Sequence, residues 1–340
     1  MALGMNPQEL SIDIVISEYC DRIAEARSKN TARTYKNGMN VFRRVLLVNK
    51  INPEKDSISE LREDAVAWTI DYLRDNTATT ERLYLTAITG FFEYISAENL
   101  APINLPRIHQ LIKLRARRPG QRLPQFPRNA IEQVLEYADN LRVKAVENEN
   151  DRLRNLRDRA FLITLADTGL RVHEACGLRR GDLDWFEYQA VIIGKGNRQA
   201  VVRFSKRSIA AIKDYLSARS ARDGASGRPL SALPLFARHD PGAGTKNIKA
   251  ITTRAGRYIV TMRVRECLGE DAIGTITPHS FRHYFVTTVL RASGNLKLAQ
   301  ELARHKNIAV TQRYAHLSDD ELDKGYEKIF NADNQEIDDN

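Results

Sequence analysis

A chain of 340 residues exceeds what one typical core supports, so its length favours two domains, and 42% hydrophobic residues suffice to fill both. With 52 Lys+Arg against 43 Asp+Glu the formal charge is +9, which favours a polyanionic partner such as nucleic acid. Cys20, Cys176 and Cys267 are odd in number and far apart, which excludes a disulfide scaffold or paired-cysteine metal site and suggests reduced thiols in a cytosolic protein. The amino terminus lacks a basic-then-apolar leader and no apolar run is long enough to span a bilayer, so the expectation is a cytoplasmic chain with no membrane partner.

From about Ser11 to Leu100 the pattern is helical. Ile12, Ile14, Val15, Ile16 and Tyr19 suggest a first helix, and Tyr35, Met39, Phe42 and Leu46 recur at helical spacing in a second. Leu61, Ala65, Trp68 and Leu73 suggest a third. A fourth carries Leu83, Leu85, Ile88, Phe91, Phe92 and Ile95. Helices two and four are expected to start near Thr34 and Thr80, with Arg33, Lys36 and Arg82 close by. Such entrances suit phosphate contacts, and ordinary capping explains them equally well.

Between Leu105 and Phe126 the pattern dissolves under several prolines, and Lys113, Arg115, Arg117, Arg118 and Arg122 crowd a stretch without acidic residues. A solvated linker is the ordinary reading of such a run. The run is expected instead to be a basic strap that neutralises phosphates while joining two DNA-gripping domains. The expected division is residues 1–104 as a helical DNA-binding domain, 105–126 as the basic linker, 127–330 as a second domain and 331–340 as an acidic, disordered tail.

Beyond Pro127 the pattern is again mostly helical. Leu141–Leu156 is highly charged and is expected to be an exposed connection between helices, whereas Phe161–Ala166 reads as a buried helix stopping at Gly169, a plausible left-handed cap. Arg171 and Glu174 follow at once. The period then changes: Ala190–Ile193 and Ala200–Phe204 flank Gly194-Lys195-Gly196-Asn197-Arg198, a β-hairpin signal with a lysine at its tip. Helical patterning returns at Ser208–Ala218 and, after a long Gly/Pro-marked loop region, near Ile248–Leu268.

Residues 277–316 concentrate chemistry. Thr277 can cap a helix and Pro278 suits its first turn, which puts His279 and Arg282 on one face beside orphan backbone donors, a nascent anion site. His305 and Tyr314 follow, separated by an expected turn at Lys306-Asn307. Two imidazoles, a guanidinium and a phenol suit attack on a phosphodiester. A zinc site from His279, His283, His305 and His316 has one metal-compatible spacing, but no metalloprotease glutamate or finger cysteine accompanies it and arginines crowd the histidines, so no metal is expected. Asp319–Phe330 reads as a last helix with a broad apolar side.

Taken in order, Thr168-Gly169-Leu170-Arg171-Val172-His173-Glu174, Gly194-Lys195-Gly196, His279-Ser280-Phe281-Arg282-His283, and His305 followed by Tyr314 resemble the catalytic signature of the tyrosine site-specific recombinases, the phage-integrase and Xer-like family. The resemblance spans about Pro127 to Phe330, and residues around Thr34-Tyr35 and Thr80–Tyr94 resemble the family's helical core-binding domain less specifically. It implies a mainly α fold with a small β-hairpin sheet in the carboxy-terminal catalytic domain, and two domains clamped on DNA. It further implies that Tyr314 attacks the scissile phosphate to leave a 3′-phosphotyrosyl link, that Arg171 and Arg282 bind the non-bridging oxygens, and that Lys195 protonates the departing 5′-oxygen. His279 would exchange a proton with Tyr314, His305 would hydrogen-bond the phosphate, and Glu174 would orient its neighbours.

No metal or nucleotide cofactor is then required. The implied partners are double-stranded DNA bearing specific sites, three further copies of the chain in a tetramer docked through the last helix, and an accessory directing protein. The chain departs from the family's usual pattern at Arg304, commonly glycine, at Asn104-Leu105, commonly Asn-Pro, and at His173, commonly a smaller residue. The implied activity is integration, excision or resolution of a mobile element or replicon; the alternative is a DNA-binding accessory protein of the same fold without catalysis.

Overall fold

Side-chain oxygens of Ser11, Ser28 and Thr77 each accept a backbone amide at the start of a helix and so fix where the first elements begin. In the computed structural model, which describes residues 9–118, 127–194, 198–240, 248–305 and 307–312, the helices so capped are α1 (Ile12–Ala26), α2 (Lys29–Val48) and α4 (Ala78–Ala97), and α3 (Asp64–Tyr72) comes between the last two without a side-chain cap. The chain divides into two units, residues 1–121 and 122–340.

In the first unit, Ile12, Ile16, Met39, Phe42, Phe91, Phe92 and Ile95 are fully buried in one cluster. Ile14 and Leu83, which the helical spacing also placed among the apolar positions, are exposed. The two threonines expected at helix entrances lie inside the helices: Thr34 donates its hydroxyl to the Asn30 carbonyl, and Thr80 donates its amide to the capping Thr77.

A fifth helix, α5 (Leu105–Arg115), corrects the expectation that the pattern dissolves after Leu105. Asn104 caps it by accepting the Arg107 amide, and Pro106 falls in the first turn, where a missing N–H costs nothing. Ile108 is fully buried in the cluster of the first unit, with Leu105 and Ile112 packed against it. Cations unopposed along the sequence meet carboxylates in space. Arg107 bridges Glu63 and Asp64 of the α3 entrance, and Arg115 lies 4.0 Å from Asp71.

The second unit comprises α6 (Arg128–Asn140), α7 (Glu149–Thr168), α8 (Val172–Gly177), the strands β1 (Leu183–Asp184), β2 (Gln189–Gly194) and β3 (Arg198–Arg203), then α9 (Lys206–Ala218), α10 (Ser220–Gly224), α11 (Thr253–Leu268), α12 (Pro278–Ser293), α13 (Leu296–Ala303) and α14 (Ile308–Gln312). The strands form an antiparallel sheet in the order β1-β2-β3, with Val191 opposite Val201. Ala190, Ile192 and Val202 turn inward while Val191, Ile193 and Val201 face out, the alternation a half-buried sheet requires. The fold is thus mainly helical with one small sheet.

Helix α7 packs against α6, α8, α9 and α12. Because it is enclosed on several sides it buries charged positions as well as apolar ones, and it begins at Glu149, inside the stretch expected to be an exposed connection. Asp158 accepts from Arg157 and Arg263, and Asn155 also accepts from Arg263. Arg157 is the neighbour of Asp158 on α7, whereas Arg263 lies on α11, too far along the chain for local patterning to pair it.

Candidate phosphate-binding site

The site grows out of the turn that ends α7. Gly169 adopts φ +58 and ψ 22, the left-handed cap expected from the sequence, and an added Cβ there would sit 2.4 Å from Cδ1 of Phe285. The turn hands the chain to Arg171, whose amide donates to Glu174 Oε2 at 2.8 Å and whose Nη1 donates to Oε1 at 3.0 Å. Glu174 takes one edge of that guanidinium, while the Arg171 side chain remains 46% exposed.

Thr277 caps α12 and Pro278 occupies its first turn, as the sequence predicted, and the Thr277 amide donates back to Ser280 Oγ. Two residues on, Arg282 is 2% exposed and donates Nη1 to the carbonyl of Gly169 and Nη2 to that of Ala303. One guanidinium therefore pins the α7–α8 turn to the end of α13. His305 follows that end: its amide donates to the Gln300 carbonyl at 3.0 Å, and its Nδ1 lies 2.9 Å from the buried hydroxyl of Thr311.

These tethers bring Arg171, Glu174, Arg282 and His305 into one hydrogen-bonded assembly, and Arg171, His279 and Arg282 line one cavity of about 490 Å³ with His173, Arg257 and Thr277. Arg257, on α11, and Thr311 were not among the residues singled out from the sequence. Arg257 follows the Thr252 cap by about a turn and a half, a basic position at a helix entrance of the kind noted elsewhere in the chain.

Electrostatics fix the protonation of the imidazoles. Desolvation first, then the guanidinium groups of Arg282 and Arg171, lower the His279 imidazole below its usual range. The same causes push His305 down to about 4, and burial followed by His279 and Arg282 takes His283 to about 4. All three are neutral near pH 7, so each retains a lone pair to accept a proton. Burial works to raise the Glu174 carboxyl, but the Arg171 amide and the guanidinium groups of Arg304 and Arg171 outweigh it and hold the group ionised. Glu174 pairs with Arg171 and Arg304, and with Arg282 tethered beside them the assembly carries excess positive charge suited to a phosphodiester.

Lys195 and Tyr314, the expected acid and nucleophile, lie outside the described residues, as do Arg122, His316 and the expected helix at 319–330. Among the described residues no group of three or more His, Cys, Asp or Glu side chains is disposed to hold a metal ion. His279 and His283 instead meet ring edge to face, 4.3 Å between centroids.

The basic residues expected to hold DNA divide into two kinds. Arg33, Lys36, Arg82, Lys113, Arg115 and Arg118 present exposed side chains. Arg117 does not fit that expectation: its amide and Nε donate to the fully buried Glu81, and Nη2 donates to the carbonyls of Leu73 and Asn76. These donors are committed inside the first unit, anchoring the end of α5 to the start of α4.

Comparison with known proteins places residues 128–321 within the model of the phage integrase family. The chain is 26% identical over 308 residues to the tyrosine recombinase XerC of Thermodesulfovibrio yellowstonii, covering 90% of this chain and 92% of that one. It is 28% identical over 309 residues to the XerC of Listeria welshimeri, covering 88% and 91%. A crystal structure of the XerH site-specific recombinase bound to a palindromic difH substrate shares the fold at a TM-score of 0.66 and 19% identity, over 92% of this chain and 83% of that one.

Proposed function

Because the chain belongs to the phage integrase family and is a tyrosine site-specific recombinase, we propose that its cluster of arginines and neutral histidines binds the scissile phosphate of a duplex. The observation that carries this reading is the tether through Arg282, which joins the turn bearing Arg171 and Glu174 to the end of α13 that precedes His305, while Arg171, His279 and Arg282 line one cationic pocket.

In the proposed reaction, Arg171 and Arg282 neutralise the non-bridging oxygens as negative charge builds on the pentacoordinate phosphorus. The Tyr314 oxygen forms a bond to phosphorus as the bond to the 5′-oxygen breaks. Neutral His279 takes the phenolic proton, Lys195 supplies one to the departing 5′-oxygen, and His305 donates a hydrogen bond to the phosphate. The phosphotyrosyl ester conserves the bond energy, so a 5′-hydroxyl from another strand reverses the step without nucleotide hydrolysis or a metal. Rejoining to a different partner is recombination.

The two-unit clamp on DNA, with Arg33, Lys36, Arg82, Lys113, Arg115, Arg118 and Arg122 contributing phosphate contacts, is part of the proposal. So are a tetramer docked through residues 319–330, an accessory directing protein and a cytoplasmic location; among the described residues, no helix is long and apolar enough to cross a membrane.

The test is a nicked suicide duplex carrying the recombination site, incubated with protein and chelator. A covalent protein–DNA adduct that disappears in Tyr314→Phe is the expected result. Binding without adduct by the intact protein would refute the transesterification and point to an accessory DNA-binding role. Removal of residues beyond Ser318 should leave binding of a single site intact and abolish recombination; unimpaired recombination by the truncated protein would refute docking through that segment.

A further inference from the structure

Arg304 occupies an expensive position. It closes α13 with φ +57 and ψ 44, a backbone state that a side chain disfavours and that glycine adopts without strain. Its side chain is only 11% exposed, and burial depresses the guanidinium below its usual range despite the Glu174 carboxylate beside it. Nε and Nη1 are buried without an acceptor among the described residues. A turn needing only its backbone shape would be better served by glycine, so the guanidinium itself is the reason to have arginine here.

What it touches suggests the use. Nη2 lies 3.2 Å from Glu174 Oε2 and 3.5 Å from the Gly169 carbonyl. Glu174 is the carboxylate that holds Arg171, and the Gly169 carbonyl is the acceptor that also receives Arg282. Arg282 in turn donates to the carbonyl of Ala303, the residue before Arg304. The contacts form a closed circuit. Arg304 fastens the turn carrying His305 to the turn carrying Arg171, and its contacts with Glu174 and Gly169 brace both arginines expected to meet the phosphate.

We propose that Arg304 is a positioning residue that pre-assembles the phosphate site by locking the His305 turn onto the Glu174–Arg171 pair. This rests on the recombinase reading above. The bracing acts on geometry rather than on DNA contact, so its removal should slow cleavage and spare affinity.

The experiment measures duplex affinity and the single-turnover rate of adduct formation on the nicked substrate for the parent, Arg304→Gly, Arg304→Lys, Glu174→Gln and the Arg304→Gly/Glu174→Gln pair. Glycine suits the left-handed turn, so Arg304→Gly should fold with an unchanged thermal midpoint. It should bind DNA within about twofold of the parent while forming adduct about tenfold to a hundredfold more slowly, the scale expected when catalytic groups are misplaced. Lysine should restore part of the rate, since an ammonium reaches one acceptor where the guanidinium spans two. Combining Arg304→Gly with Glu174→Gln should cost less than the sum of the single changes, because each alone already breaks the Arg304–Glu174 contact.

A parental rate in Arg304→Gly, a fully additive pair, or affinity lost in step with rate would each overturn the inference while leaving the recombinase reading intact. Failure of the parent itself to form adduct would overturn that reading and this inference with it.

Discussion

Replacing Gly169 with alanine tests the turn on which the site is built. Two costs add. A residue with a Cβ held at φ +58 loses about 1–2 kcal/mol to left-handed backbone strain. The new methyl, 2.4 Å from Phe285 Cδ1 and 3.0 Å from Cγ, also meets a ring packed against the Val286, Leu290, Ala299 and Ala303 cluster, so relief requires that ring to move, at about 1–3 kcal/mol for overpacking. The sum is about 2–5 kcal/mol, a large part of the 5–15 kcal/mol typical of a domain. Urea unfolding of the full chain, followed by circular dichroism, should show a lower midpoint for the transition of the second unit. Adding Phe285→Leu should recover the packing share but not the backbone share. The same shift displaces the carbonyl that accepts Arg282 and Arg304, so adduct formation should fall even where the variant remains folded. A Gly169→Ala protein within about 0.5 kcal/mol of the parent would refute the argument, since surface changes alone produce effects of that size.

Arg117→Ala should destabilise the first unit by about 2–4 kcal/mol, somewhat less than for a wholly buried pair because the arginine is 35% exposed; it strands the carboxylate of Glu81, which is 0% exposed. Unchanged stability with impaired DNA binding would instead return Arg117 to the phosphate-contacting set. Acid should weaken the second unit before its carboxylates titrate. Burial, with nearby guanidinium groups, lowers His239 to about 3, and His283 and His305 fall to about 4, so the unfolded chain binds these protons more readily than the folded one. The stability is therefore complete above about pH 6.5 and lost progressively as pH falls toward 4. Urea midpoints at about pH 7.5 and about pH 5 should differ less in His239→Gln than in the parent. An equal pH response in the two proteins would show that this histidine, which pairs with the Tyr215 hydroxyl at 2.7 Å, is not a source of the acid sensitivity.

Much of the fold was legible because its signals are local. The spacing of Met39, Phe42 and Leu46, the alternation about Val191 and Val201, the glycine ending α7 and the Thr277-Pro278 start of α12 each report on neighbours a few residues away. The compact stretch holding His279, Arg282 and His305 suggested phosphate chemistry for the same reason, whereas Arg171 and Glu174, far earlier in the chain, joined that set only through the family resemblance. Reading failed where the deciding partner was distant. Leu105–Arg115 looked irregular because prolines and unopposed cations dominate it, yet Asn104 caps a helix whose Arg107 meets Glu63 and Asp64. The charged run Leu141–Leu156 looked exposed throughout because Arg263, about a hundred residues onward, supplies the partner that buries Asn155.

Periodicity, turn residues and motif order, all properties of the chain as a string, thus determined the helical class, the hairpin and the set of candidate groups. Only the tertiary structure decided which cations are committed to structure, as with Arg117 and Glu81, and which converge on the pocket, as with Arg171 and Arg282. It also gave Arg304 a place in the site, since the carboxylate it meets lies 130 residues earlier in the chain. Charge is written in the sequence, but the work a charge does depends on what stands within a few ångströms of it, and that distance is settled by packing.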